Sequence, residues 1–270
     1  MTDAHCHPEN LLAHNPNAEE ERRAAGIAAL ASSTTREEFE YHEALAAKAA
    51  EEGAAPLYLS FAIHPQFPAF IQSSDTAWDK DENLHYLARL ALEDRLHTIG
   101  ETGFDLFDNF YKSSEKLQDE IFDSHLEIAL KHNLPLKIHL RRAMHKIFPY
   151  TKELKKLPAI ILHSWPGSAI EGEALIKRGI NAYFSFGSTV LKNHKKAIVS
   201  AASLPPERLL LETDAPYQPL YGKTFSSYSD LNLICQKIAE LRLEAGSPCN
   251  SALELEEKTT ENFFGIFTSN

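Results

Sequence analysis

Three cysteines in 270 residues are too few, and the wrong parity, for a disulfide framework. No Cys-x-x-Cys is present to build a zinc knuckle, so Cys6, Cys235 and Cys249 are expected as reduced thiols. Long apolar runs are also missing. None approaches the ~20 residues that span a bilayer, so no membrane segment is expected. The opening Met1-Thr2-Asp3-Ala4-His5 has neither the basic nor the apolar region of a secretory leader, which points to the cytoplasm. Basic excess is absent too: 27 Lys and Arg against 38 Asp and Glu leave a net charge of -11. That balance argues against a broad nonspecific grip on nucleic acid. It leaves room for a site that handles phosphates, because divalent cations invert the local field. No internal repeat, low-complexity tract or Gly/Ser linker interrupts the chain, so residues 1–270 are expected to form one domain.

What is there is an alternation of short apolar runs with helical patterns. Strands are predicted at the start of the chain around Asp3–His7, then at Gly26–Ala31 and Leu57–Ile63. Others follow at His97–Gly100, Leu136–Ile138, Ala159–Leu162, Ala182–Phe184 and Arg208–Leu211. Thr35 followed by Glu38 has capping-box spacing and opens a helix through about Glu52. Leu117, Ile121, Phe122, Leu126, Ala129 and Leu130 hold an apolar stripe at helical spacing that ends near Asn133. A tail from about Ser226 reads as two helices separated by Gly246-Ser247-Pro248. Eight strands alternating with helices, several apolar throughout, predict a parallel sheet closed into an α/β (β/α)₈ TIM barrel.

Barrel enzymes carry their chemistry at the carboxyl ends of the strands. In an extended strand residues two apart share a face, so His5 and His7 project together toward one cation. Glu101, His139, His163 and Asp214 each follow a predicted strand. Six metal-type residues at equivalent positions on five strands form the strongest constellation in the sequence. Mixed imidazole and carboxylate donors suit Zn, Mn or Mg.

The pieces Asp3–His7 (DAHCH), Ile63–Pro65 (IHP), Ile99–Asp105 (IGETGFD), Ile138–Ala143 (IHLRRA), His163–Ser168 (HSWPGS) and Glu212–Tyr217 (ETDAPY) resemble the TatD family. These are metal-dependent deoxyribonucleases within the amidohydrolase-like barrels, and Thr260–Phe267 (TENFFGIF) adds a weaker match. The resemblance runs from the first strand to the last helix. It implies two divalent metal ions held by His5, His7, Glu101, His139, His163 and Asp214. Glu101 would bridge them, with His5, His7 and Asp214 on one ion and His139 and His163 on the other. It also implies DNA as substrate, cut by phosphodiester hydrolysis, exonucleolytic in mode. Three departures touch the substrate side: Gln66 stands for the family's usual second histidine after IHP, and Arg142 for its usual acidic residue. Gln218-Pro219-Leu220-Tyr221-Gly222-Lys223 replaces an arginine-rich loop.

Around that constellation, Asp214 is the candidate to orient a water and take its proton, with Glu101 as its partner in catalysis. Asp105 reads as a hydrogen-bond acceptor for a ligand histidine or as a loop cap. His64 reads as a substrate contact or as a histidine held by the Pro65 turn. Arg141 is a candidate for a bidentate phosphate contact. Lys192, Lys195 and Lys196 form either a basic rim or a solvated face, and Trp165 is expected to pack under a loop. His42, His85, His125, His132 and His194 are expected at surface or capping positions. The acidic exterior gives no sign of a large apolar interface, so a monomer is expected. An alternative on the same barrel is hydrolysis of a small ester, lactone, amide or phosphoester.

Overall fold

The computed structural model describes residues 1–73 and 79–268. Its eight strands are β1 (Thr2–Cys6), β2 (Ala28–Ser33), β3 (Leu57–Phe61), β4 (Thr98–Asp105), β5 (Leu136–Arg141), β6 (Ile160–Leu162), β7 (Ala182–Phe186) and β8 (Leu209–Leu211). They lie in sequence order in one sheet, every neighbouring pair parallel. A Cys6–Ala215 bridge joins β1 to the segment after β8. There His7 N–H donates to Ala215 O at 2.7 Å and Asp214 N–H to His5 O at 2.9 Å. The sheet is thus a (β/α)₈ barrel, and the seam of the barrel is also where three candidate ligands meet.

Local chemistry sets the element boundaries. Thr35 and Glu38 form the reciprocal capping box of helix Arg36–Glu51. Asn133 closes helix Glu115–His132 in the left-handed region at φ 52°. Gly26 sits in a turn at φ +64°, so β2 starts at Ala28, two residues later than the apolar run suggested. Most strand residues pair one face with the surrounding helices. The other face packs inward, where Ala28, Leu30, Ile161 and Leu210 meet Phe263 and Ile266 of the last helix, Ala252–Thr268.

Two interruptions of regular pairing aim the site. The register of β1 shifts between Asp3 and Cys6, and that of β4 between Ile99 and Thr102. β4 therefore runs on through Glu101 to Asp105, and Glu101 lies within the strand instead of just past its end. The two glycines of IGETG allow β4 and β5 to approach. A Cβ on Gly100 would meet Lys137 Cβ at 2.5 Å, and one on Gly103, at φ +131°, would meet His139 O at 2.1 Å.

Two histidines expected at the surface are instead core residues. His42 and His125 are fully buried. Each lies in a helix, but on the inward face, and each has polar partners that satisfy it. Glu9 N–H donates to His42 Nε2, whose Nδ1 meets Ser33 Oγ at 2.8 Å. Ile63 N–H donates to His125 Nε2, whose Nδ1 meets Thr102 Oγ1 at 2.6 Å. Both rings are accordingly neutral, with Nδ1 as donor.

Burial pushes the His125 imidazole from 6.5 down to about 3. A depressed histidine pKa stabilises the fold fully above the unfolded value, and that stability is lost as pH falls toward the folded value. On chelator-treated protein, the loss between pH 6.5 and 4.5 attributable to this ring is on the order of 2 kcal/mol. His125→Asn should lower the melting midpoint at pH 7 and flatten its fall over that interval. Parallel pH profiles for parent and variant would contradict the assignment.

Candidate metal centre

Seven side chains from six strands or the segments just after them converge inside the barrel mouth. His5 Nε2 is the hub of one pole, 3.0 Å from His7 Nε2, 3.1 Å from Glu101 Oε2 and 3.4 Å from Asp214 Oδ1. His7 Nε2 lies 3.6 Å from the same Asp214 oxygen. At the other pole Glu101 Oε1 is 2.7 Å from His139 Nδ1, 3.3 Å from His64 Nε2 and 3.7 Å from His163 Nε2. The two oxygens of Glu101 thus face opposite clusters. Three groups of donor atoms fall within 4.8 Å of one another: His5–His7–Asp214, His5–Glu101–His163 and His64–Glu101–His139. Such a set of imidazoles and carboxylates fits divalent zinc or manganese, and magnesium at its carboxylate side.

The electrostatics reinforce that fit. Burial would raise the Glu101 carboxyl, but the imidazoles of His163, His64, His5 and His139 hold it well below the usual carboxylate range. Burial acts the same way on Asp214, and the hydrogen bonds of His5 and His7 likewise bring it down. Against their own burial, His139 and His163 are each pushed up to about 9 by the carboxylates around them. Protons stand on these rings where a divalent cation would supply the same positive charge.

Outer carboxylates fix which nitrogen His163 and His139 offer. His163 Nδ1 is 2.9 Å from Glu212 Oε2, so Nε2 is the atom presented inward. Asp105 Oδ2 lies 3.3 Å from His139 Nε2, which leaves Nδ1 facing Glu101. His5 Nδ1 meets Ser32 Oγ at 3.4 Å. His64 differs: Gln66 N–H donates to its Nδ1 at 3.3 Å, so Nε2 carries the hydrogen and donates to Glu101. That tautomer withholds a lone pair from the cluster and makes His64 a hydrogen-bond donor beside it.

A cleft of about 1130 Å³ opens above these residues. Arg141 lines it, half-exposed, with its guanidinium stacked 3.6 Å from the Phe107 ring centre and 3.8 Å from Asp105 Oδ2. Lys195 and Lys196 also line it, whereas Lys192 Nζ donates to Gln218 O at 3.0 Å. Trp165 is buried, edge-on to Phe184, and packs against Gly167. Arg142, at φ 55°, turns its Nη1 to Phe107 O.

Several members of the site escaped the motif reading. Gln66 Nε2 donates to Asp105 Oδ2 and Gln218 Nε2 to Asp214 Oδ2, each at 2.7 Å. Two of the residues that depart from the family pattern thus place an amide on a carboxylate of the site. Asp3 accepts from Thr213 N–H and Oγ1 and from His5 N–H, tying β1 to the segment that carries Asp214. Glu212 and Lys137 are fully buried. A signal for both was available: each stands two residues before a candidate ligand, Asp214 or His139, in an apolar strand context.

Against known proteins, the family described as TatD related DNase matches residues 2–268. The uncharacterized metal-dependent hydrolase YabD of Bacillus subtilis is 31% identical over 220 residues, covering 79% of this chain and 78% of that protein. A protein of Escherichia fergusonii named 3'-5' ssDNA/RNA exonuclease TatD is 31% identical over 189 residues, 67% of this chain and 70% of its own length. Among solved structures, YJJV, a TatD homolog from Escherichia coli, superposes with TM-score 0.78 at 24% identity, covering 100% of this chain and 98% of that one. A TatD family hydrolase from Entamoeba histolytica gives 0.79 at 16% identity, with 100% and 98% covered.

Outer partners that hold a ligand histidine tune metal affinity. Glu212→Gln should weaken manganese binding, measured by equilibrium dialysis, by about 10-fold, with the melting midpoint nearly unchanged. Unaltered affinity would show that the Glu212–His163 contact is packing alone.

Proposed function

The chain belongs to the TatD-related DNase family of metal-dependent hydrolases, and on that premise we propose that it is a two-metal nuclease that trims single-stranded DNA from an end. The observation that carries this reading is the placement of Glu101, whose two oxygens face separate donor clusters. In this reading the ligands are His5, His7, Glu101, His139, His163 and Asp214. Divalent ions bound there would polarise the phosphoryl group and acidify water.

The remaining work falls to the chain's own side chains. Asp214 takes the proton of the attacking water at Oδ2, the oxygen that Gln218 holds in place with its amide. Arg141, braced on Phe107, anchors a phosphate oxygen in the cleft. His64, whose Nε2 donates to Glu101, lines the cleft and meets the substrate there. Asp105 orients His139.

The whole chain acts as a single unit in this proposal, as a monomer in the cytoplasm. Its three free cysteines support a reducing compartment. Among the described residues no helix is long and apolar enough to cross a membrane. A second reading, hydrolysis of a small ester, lactone, amide or phosphoester, draws on Gln66 and Gln218, which bring neutral amides to the cleft.

Chelator-stripped protein given Mg²⁺, Mn²⁺ or Zn²⁺ should shorten a labelled single-stranded DNA oligonucleotide stepwise, and 3′ and 5′ labels report the polarity. Asp214→Asn should lower the rate by at least about 10²-fold. Arg141→Ala should raise KM more than it lowers kcat. Protein that takes up metal, leaves the oligonucleotide intact and hydrolyses a small ester or lactone would favour the second reading.

A further inference from the structure

A lysine inside a barrel demands an explanation, since an ammonium group removed from water is costly unless it is paired. Lys137 is fully buried on the inner face of β5, two residues before His139. Gly100 on β4 is what makes room for it, because a Cβ there would overlap Lys137 Cβ. Its Nζ donates to Ser32 Oγ on β2 at 2.5 Å. Ser32, also fully buried, is the group that meets His5 Nδ1. Against the cost of burial, the nearby carboxyl groups of Glu101, Glu212 and Asp3 favour the charged form of the lysine.

We propose that Lys137 is a positioning residue for the metal centre, acting through Ser32 to hold His5 with its Nε2 lone pair presented to the cation. The inference rests on the metal-centre reading given above. The chain of contacts has a direction. Lys137 carries only donors, so Ser32 Oγ must accept from it. When Nε2 ligates a cation, the ring hydrogen stands on Nδ1, and Ser32 Oγ accepts it with its second lone pair. With the hydrogen on Nδ1, Nε2 is left bare at the point where His7, Glu101 and Asp214 converge. Lys137 holds the orientation of the hydroxyl by occupying one of its lone pairs, and without it the hydroxyl turns more freely and donates to Nδ1 more readily. That reversal would place the hydrogen on Nε2, the wrong tautomer for ligation. Lys137 does not line the cleft, and its hydrogen-bonded path to the donor cluster runs through Ser32 to His5.

The test is a double-mutant cycle read by metal affinity. Parent, Lys137→Met, Ser32→Ala and the double variant are stripped with chelator and titrated with Mn²⁺ by calorimetry, with melting midpoints recorded alongside. Each single variant should weaken one of the binding steps by about 10-fold, and the double variant should be no weaker than the singles, because both remove the same contact. ¹⁵N spectra of histidine-labelled protein loaded with zinc should show the Nδ1–H form of His5 in the parent and its loss in Lys137→Met. Affinity unchanged in both singles, or losses that multiply in the double variant, would overturn the proposal. Should Lys137→Met fail to fold, Ser32→Ala alone decides, since parent-like affinity in it breaks the chain of contacts. A parent protein that binds no metal at all would instead refute the metal-centre reading beneath it.

Discussion

The buried carboxylate of Glu101 is the constraint around which this molecule is arranged. A carboxylate removed from water is tolerable only where positive charge or several donors compensate it. Here four imidazoles, those of His5, His64, His139 and His163, supply that compensation from four different strands or strand ends. The barrel delivers them because parallel strands bring their carboxyl ends to one face. The departure of β4 from regular pairing turns Glu101 inward instead of leaving it past the strand's end. Glycines at 100 and 103 are part of the same arrangement, since any side chain there would push β4 away from β5.

Outside the cluster, acceptor-only carboxylates select the tautomer of two rings, Glu212 for His163 and Asp105 for His139, while the Ser32 hydroxyl meets Nδ1 of His5. His64 is held the opposite way, by a backbone donor, and so contributes a hydrogen instead of a lone pair. The division between proposed ligands and hydrogen-bond donors therefore rests on the outer contacts more than on the inner distances. Gln66 and Gln218 extend this layer toward the cleft, where neutral amides rest on Asp105 and Asp214.

Much of this was legible in the chain itself. Alternating strands and helices gave the barrel, and the residues after successive apolar runs gave the cluster. The capping box at Thr35 placed a helix start to the residue. What escaped the sequence did so for physical reasons. His42 and His125 sit in helices whose periodicity shows an apolar face but not which polar residue that face can absorb through backbone and hydroxyl partners. The position of Glu101 within β4 depends on a local break in pairing, which strand periodicity does not encode. Lys137 was read only as one residue of a predicted strand, because nothing in a linear chain says that Ser32, more than a hundred residues away, lies opposite it. Gln218 was seen as a departure from a family pattern, yet its partner, Asp214, became visible only with the fold.

The measurement that bears most directly on this account is anomalous diffraction from crystals of the parent protein soaked in Mn²⁺. Two peaks about 3.5–4 Å apart, one on each side of Glu101, are expected for a carboxylate that bridges two ions. A single peak, or a pair with Glu101 bound to only one of them, would contradict the claim that this buried carboxylate organises the site.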